Sequence, residues 1–233
     1  MKLIRYGRNV ALPDGTLGKK HSNPALSCDA IFADAKEQGK TAMSGQFFVG
    51  MGSTVRLVYC QFRKTGGWTL LLKATAKGDT FKYSSKHWTS RSTLNNKDPN
   101  ADADQDAKYE QFNTMELTHL SAVFLGSKIT WEVGPFHPIT ALNLMSGIPV
   151  VLGDTDGSTD APAIKFDKTY FSSAASGTYM INSQSDQGSV RFGYSWHSSS
   201  SDSIVAVSFC TSLPFVLLFR TLPACRKHMC LNV

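Results

Sequence analysis

Residues 58–72 read VYCQFRKTGGWTLLL, a pattern of strand, tight turn and strand. Val58, Tyr59 and Phe62 are strand-forming side chains, and Thr65-Gly66-Gly67 is a turn signal. Trp68-Thr69-Leu70-Leu71-Leu72 is aromatic and apolar enough to be a buried partner strand. A hairpin anchored by Trp68 is therefore the expected core. Taken alone, a Trp beside two glycines is a packing feature more often than a binding platform.

Upstream of the hairpin, residues 45–50 and 54–62 alternate as strands do, with Gly50-Met51-Gly52 as the turn between them. Ser27 offers a helix N-cap, and Asp29 suits the positive end of the helix dipole. Ile31, Phe32 and Ala35 give one apolar face before Gly39 stops the helix. Residues 1–24 are a charged, turn-rich lead-in. The opening MKLIRYGRNVALPDG lacks the apolar stretch of about 7–15 residues that a secretory signal carries.

Downstream, Phe81 and Tyr83 mark a strand, Trp88 an aromatic anchor, and residues 95–106 a polar loop. Apolar strand material follows at Val123-Phe124-Leu125 and Ile129-Thr130-Trp131. Residues 140–146 suit a short helix stopped by Gly147, and residues 148–152, 163–166, 177–181 and 189–196 read as further strands. The class is α+β: a small N-terminal subdomain, then a central, mainly antiparallel sheet with short helices.

With 233 residues and 42% apolar content, the chain can bury a full core as one large domain, or one domain with a smaller lobe. Its net charge of +6 is spread over Lys19-Lys20, Arg63-Lys64, Lys82 to Lys86 and Arg226-Lys227-His228. No basic block alternates with aromatics, so a nucleic-acid partner is not expected. Five cysteines (Cys28, Cys60, Cys210, Cys225, Cys230) show no CxxC and no zinc-ligand spacing, and an odd count leaves the redox compartment undecided. Enzyme signatures are also missing. Gly193-Tyr194-Ser195-Trp196-His197 departs from the nucleophile elbow at its last position, and the six histidines lie far apart, so no catalytic residue is assigned.

Ser27-Cys28 with Ile31, then Tyr59-Cys60, then Gly66-Gly67-Trp68-Thr69-Leu70 resembles the opening of the fibrinogen C-terminal-like domain family. Trp88, the polar loop and Tyr109-x-x-Phe112 are similar to segments of fibrinogen-like and intelectin-like proteins, so the resemblance runs over residues 25–115. Residues 190–196, VRFGYSW, resemble a late central-sheet strand of such domains. The resemblance implies a fibrinogen-like domain over 25–203, a Cys28–Cys60 disulfide (two buried free thiols being the alternative), and core roles for Trp88, Tyr109 and Phe112. It further implies an extracellular, non-catalytic, lectin-like module. Such a module binds glycans, glycoproteins or acetylated and anionic ligands, often with calcium and often as a homo-oligomer.

Two acidic loops bear on calcium. Asp102-x-Asp104-x-Asp106 fails the EF-hand template at Ala107 and Asn113, and is expected to be a solvated loop bonded to its own backbone. In residues 153–160, Asp154 and Asp156 alternate, Gly157 permits a sharp turn and Asp160 returns, which makes them candidate calcium ligands; the same letters also describe a hairpin turn. Tyr194 and Trp196 beside His197 are candidate sugar-stacking residues, with sheet core as the alternative. The tail over 204–233 departs from the family and does not reproduce its second cysteine pair. Its apolar run over 204–219 is broken by Ser208, Thr211, Ser212 and Pro214 and is shorter than the roughly 20 residues of a helical span. It reads as a closing strand at 215–219 that rejoins the sheet, as a membrane attachment, or as a segment foreign to an intact family member. A degenerate or structural domain without a ligand is the rival to the lectin reading.

Overall fold

A computed structural model describes residues 17–75, 80–102, 105–124, 130–147, 150–154, 177–185, 188–197, 204–207 and 215–220. They form an α+β structure of short helices and antiparallel strand pairs. Two compact units are present, one holding the described residues up to Thr69 together with Arg220, the other Leu70–Phe219.

In the first unit, helix α1 spans Cys28–Glu37. Ser27 is extended and its hydroxyl accepts the Ala30 N–H at 3.1 Å, which satisfies one of the helix's free donors. At the other end, Gly39 takes φ 66°, donating to the Lys36 carbonyl at 3.0 Å while Lys40 donates to Ala35 at 2.8 Å. This is a Schellman closure, and glycine meets its left-handed position without a Cβ penalty. Strands β1 (Gly45–Met51) and β2 (Thr54–Arg63) pair antiparallel from Gly45↔Cys60 to Met51↔Thr54. Strand β3 (Gly66–Ala74) then pairs with β2 from Arg63↔Gly66 to Cys60↔Thr69.

The β2–β3 turn is therefore Lys64-Thr65, and the two glycines expected to form it instead begin β3. Close packing explains the shift: a Cβ on Gly67 would lie 2.1 Å from the Cys28 carbonyl oxygen. Only a residue without a side chain lets the start of α1 rest on β3. The same contact is bonded twice more, because Cys28 and Cys60 form a disulfide and Asp29 Oδ1 accepts the Gly67 N–H at 3.1 Å. The disulfide implied by the family resemblance is thus present. Residues 17–25 lie along β1: Leu17 is buried, Phe48 N–H donates to Gly18 O at 2.7 Å, and Ala25 pairs with Val49. These bonds cover the β1 edge, where unpaired donors would otherwise face solvent.

The second unit begins within β3, whose residues are all buried. Burial on both faces explains why Leu70-Leu71-Leu72 is a continuous apolar run and not an alternating one. The strands that follow are β4 (Ala107–Lys108), β5 (Glu116–Leu117), β6 (His119–Phe124), β7 (Thr130–Val133), β8 (Ile139–Thr140), β9 (Val150–Asp154), β10 (Gly177–Ser185), β11 (Gly188–His197), β12 (Ile204–Val207) and β13 (Phe215–Arg220). Helices α2 (Gln111–Thr114) and α3 (Ala141–Ser146) lie between them in sequence. One sheet runs β3-β13-β6-β7 with β4 also on β3, a second β12-β11-β10-β9, and a third pairs β5 with β8. Strand β13 is the closing strand expected at 215–219, and it enters between β3 and β6. The strand expected at 163–166 lies outside the described residues.

Trp88, Tyr109 and Phe112 are buried core, as expected. The strand expected at Phe81 and Tyr83 does not form: residues 80–85 are turns leading into a 3-10 turn at Lys86–Trp88. Side chains take the backbone groups that a neighbouring strand would have used. The Ser85 hydroxyl donates to Thr80 O and accepts from His87 N–H, and the Trp88 indole N–H is shared between Phe81 O at 3.2 Å and Lys82 O at 3.1 Å. Arg191 of β11 donates to the carbonyls of Tyr83 at 2.8 Å and Met145 at 3.1 Å, tying this segment to α3.

The acidic loop is largely exposed and bonded to itself, with the Asn95 amide donating to Asp106 O at 2.8 Å, but it also holds the end of β3. Asp106 Oδ1 accepts the Thr75 N–H at 2.6 Å and its hydroxyl at 2.9 Å, while Asn100 Oδ1 and the Asp102 carbonyl accept the Lys73 ammonium at 2.8 and 2.7 Å. Lys73 is fully buried, and a buried ammonium requires acceptors, so the loop is held at the end of β3 while residues such as Asp98 and Asp102 stay exposed.

Candidate functional site

The Schellman closure of α1 fixes the position of the next charged residue. Lys36 occupies the last helical turn, where a cation complements the dipole, and Lys40 follows directly after the reversal. The chain then runs to Ser44, whose hydroxyl accepts the Phe62 N–H at 2.9 Å and pins the loop to the end of β2. Arg63 and Lys64 lie where β2 turns into β3. Residues distant in sequence thereby meet around a cavity of about 650 Å³ lined by Phe32, Lys36, Lys40, Phe62, Arg63 and Lys64, with residues 39, 41 and 42.

Four of these side chains are cationic and none is acidic. Lys36 and Lys64 have no ion-pair partner among the described residues, and Lys40 donates to Gln38 Oε1 at 2.9 Å. The Arg63 guanidinium lies over the Trp68 ring at 4.9 Å and bonds Gln61 at 3.2 Å, which holds it in place. Phe32 and Phe62 are half-buried, their rings stacked with centroids 6.3 Å apart and an interplanar angle of 26°. A positive cleft with an aromatic wall follows from this arrangement. Sequence reading missed it because Lys36 and Lys40 join Arg63-Lys64 only through the fold; the available signal was the i, i+4 spacing of Lys36 and Lys40 across a glycine stop.

Beyond the same loop, a smaller cavity of about 240 Å³ is lined by Leu17, Lys19, Ile31, Asp34, Gln38, Lys40, Met43 and Phe47, among others. Asp34 Oδ2 accepts from the Gln38 amide at 2.9 Å, whereas its Oδ1 is buried without a hydrogen-bond partner among the described residues. Lys19 sits over the Phe47 ring at 4.0 Å.

Tyr194, Trp196 and His197 all fall in β11. Tyr194 pairs with Tyr179 and Val207, Trp196 with Gly177 and Val205, and His197 with Ile204. His197 is the last residue of β11. Asp154 is the last residue of β9, opposite Thr178, while Asp156 and Asp160 lie outside the described residues. Among the described residues no three His, Cys, Asp or Glu form a metal-holding group. No helix of the described residues is long and apolar enough to cross a membrane.

Lys108 is a second fully buried lysine, unremarked by sequence patterning. Its ammonium donates to Ser90 O and lies 4.5 Å from the Phe112 ring centroid. Burial lowers its pKa from 10.5 to about 8, against the opposing pull of Glu110. Compared with known protein families and with curated proteins, the chain matches none.

Proposed function

We propose that the chain is a fibrinogen-like recognition module, non-catalytic and lectin-like, that binds glycans or glycoproteins bearing acetyl or anionic groups. The observation that carries this reading is the Cys28–Cys60 disulfide, set where α1 rests on Gly67 of the Gly-Gly-Trp segment. A disulfide linking two fully buried cysteines suits an oxidising, extracellular setting. In this reading the 153–160 loop holds calcium through Asp154, Asp156 and Asp160, with Tyr194 and Trp196 on the ligand side. The test is binding of the purified chain to a panel of sulfated, sialylated and acetylated glycans, with calcium and then with a chelator. Calcium-dependent binding lost in Asp154→Ala supports a calcium lectin; a folded chain that binds nothing in either condition refutes the lectin reading.

The rival reading is a degenerate or structural fibrinogen-like domain without ligand binding, to which the departure of residues 204–233 from the family pattern points. A cooperatively folded chain that binds no member of the panel would agree with it.

A further inference from the structure

We propose that the basic cleft at the end of α1 binds a sugar carrying sulfate esters. The proposal rests on the glycan-binding reading only in taking a sugar as the carrier of the anion; the anion's place follows from the cleft itself. Lys36, Lys40, Arg63 and Lys64 converge on a cavity of about 650 Å³, and that lining holds no carboxylate. The charge open to a ligand is carried by Lys36 and Lys64, which have no ion-pair partner among the described residues, and by Lys40. Glu37 is an exposed residue of α1 that does not line the cleft, and Asp34 lines the smaller cavity, one carboxylate oxygen held by Gln38. The helix end would itself repel an anion, but its Lys36 and Ala35 carbonyls are taken up by the N–H groups of Gly39 and Lys40.

Size and shape select the carrier. The cavity falls inside the range of about 300–1,000 Å³ usual for small-ligand sites. Phe32 and Phe62 offer half-exposed aromatic surface beside the cations, suited to the C–H face of a sugar ring whose sulfates reach the lysines. Three exposed lysines and one braced arginine match a ligand with several dispersed anionic groups better than one planar carboxylate, which favours a bidentate arginine fork. A nucleic acid would satisfy the same charges, but the buried disulfide of this unit suits an oxidising, extracellular setting, where a glycan is the more accessible polyanion.

The full chain is titrated calorimetrically with a heparin-derived hexasaccharide, its desulfated counterpart, and a single-stranded DNA of matched charge, in calcium and in chelator. The sulfated sugar binds in both conditions and the desulfated one does not. Lys40→Gln and Lys64→Gln alter exposed residues; each weakens binding about two- to fivefold and lowers its salt dependence, whereas Lys97→Gln, an exposed residue that does not line the cleft, leaves it unchanged. Equal binding of the two sugars, unchanged affinity in both cleft variants, or DNA binding as tight as the sulfated sugar each overturn the proposal. Calcium-dependent binding to acetylated glycans with no response to the hexasaccharide would overturn the cleft site while sparing the lectin reading. Loss of sulfated-sugar binding in Asp154→Ala would move the site to the calcium loop and overturn the cleft, since Asp154 does not line it.

Discussion

Gly67→Ala puts the packing of α1 on β3 to a direct test. The added Cβ would sit 2.1 Å from Cys28 O and 2.7 Å from Asp29 N, both backbone atoms. Reaching 3.0 Å, the closest approach real Cβ atoms show, takes 0.9 Å of separation from 2.1 Å. Neither partner can move freely, because Cys28 is covalently held to β2 and Gly67 is paired within the sheet. Separation would also break the 3.1 Å bond from Gly67 N–H to the Asp29 carboxylate. Overpacking alone costs about 1–3 kcal/mol, and a lost charge-assisted hydrogen bond about 1.5–3, so a destabilisation of about 3–5 kcal/mol is expected. Urea unfolding followed by tryptophan fluorescence measures it. Two controls separate the clash from a general glycine effect. Gly45→Ala meets nothing within 4 Å and stays within about 0.5 kcal/mol of the parent, whereas Gly39→Ala meets open space at φ 66° and loses about 1–2 kcal/mol. Asp29→Ala should cost less in the Gly67→Ala background than alone, since the shared bond is already gone. A loss below about 1 kcal/mol for Gly67→Ala, or full additivity with Asp29→Ala, would refute the reasoning.

Replacing Cys28 and Cys60 together with alanine opens a loop of sequence separation 32 and is expected to lower stability by about 4 kcal/mol on the chain-entropy estimate, read from the urea midpoint; a loss under about 1 kcal/mol would make the bond redundant with the packing around it. Lys108 predicts a pH dependence of definite sign. Between about pH 8 and 10.5 the unfolded chain keeps a proton that the folded chain has released, so the Lys108 contribution makes stability rise with pH across that window, and Lys108→Met flattens the rise. An unchanged profile in the variant would count against a burial-lowered pKa. Asp106→Ala removes the acceptor of two Thr75 bonds and should cost about 1–3 kcal/mol, whereas a calcium chelator should leave parental stability unchanged if the loop's role is to bond the end of β3.

Local signals in the sequence carried α1 and the first strands well. Ser27 and Gly39 act on the residues beside them, so the helix bounds could be read without tertiary information. The Gly66-Gly67 pair shows where local reading fails. As turn chemistry it moved the reversal by two residues, because the demand for glycine comes from a carbonyl 39 positions away at Cys28. Phe81 and Tyr83 have strand-forming side chains, yet Ser85 and Trp88 compete for the backbone and win; propensity is silent about that competition. The basic cleft was illegible for a related reason. Its charges are scattered along the chain and converge only through a helix stop, a serine pin and a hairpin register. Tyr194 and Trp196 fall in the strand expected at 189–196, and β11 runs one residue further at each end, so that His197 closes it.

The placement of β13 bears on the order in which the second unit can be completed. Synthesis delivers β3, β6 and β7 well before Phe215–Arg220, yet β13 belongs between β3 and β6. Until it arrives, those two early strands have no reason to be neighbours, and each presents an unpaired edge of backbone donors and acceptors. Sheet closure is thus a late, long-range event whose loop entropy must be overcome before the central pairings reward it, which gives this unit a slow, high-contact-order route. A nascent chain halted before β13 would expose the buried apolar surface of Leu70, Leu71 and Leu72 together with two open edges, a combination that invites chaperone capture or aggregation.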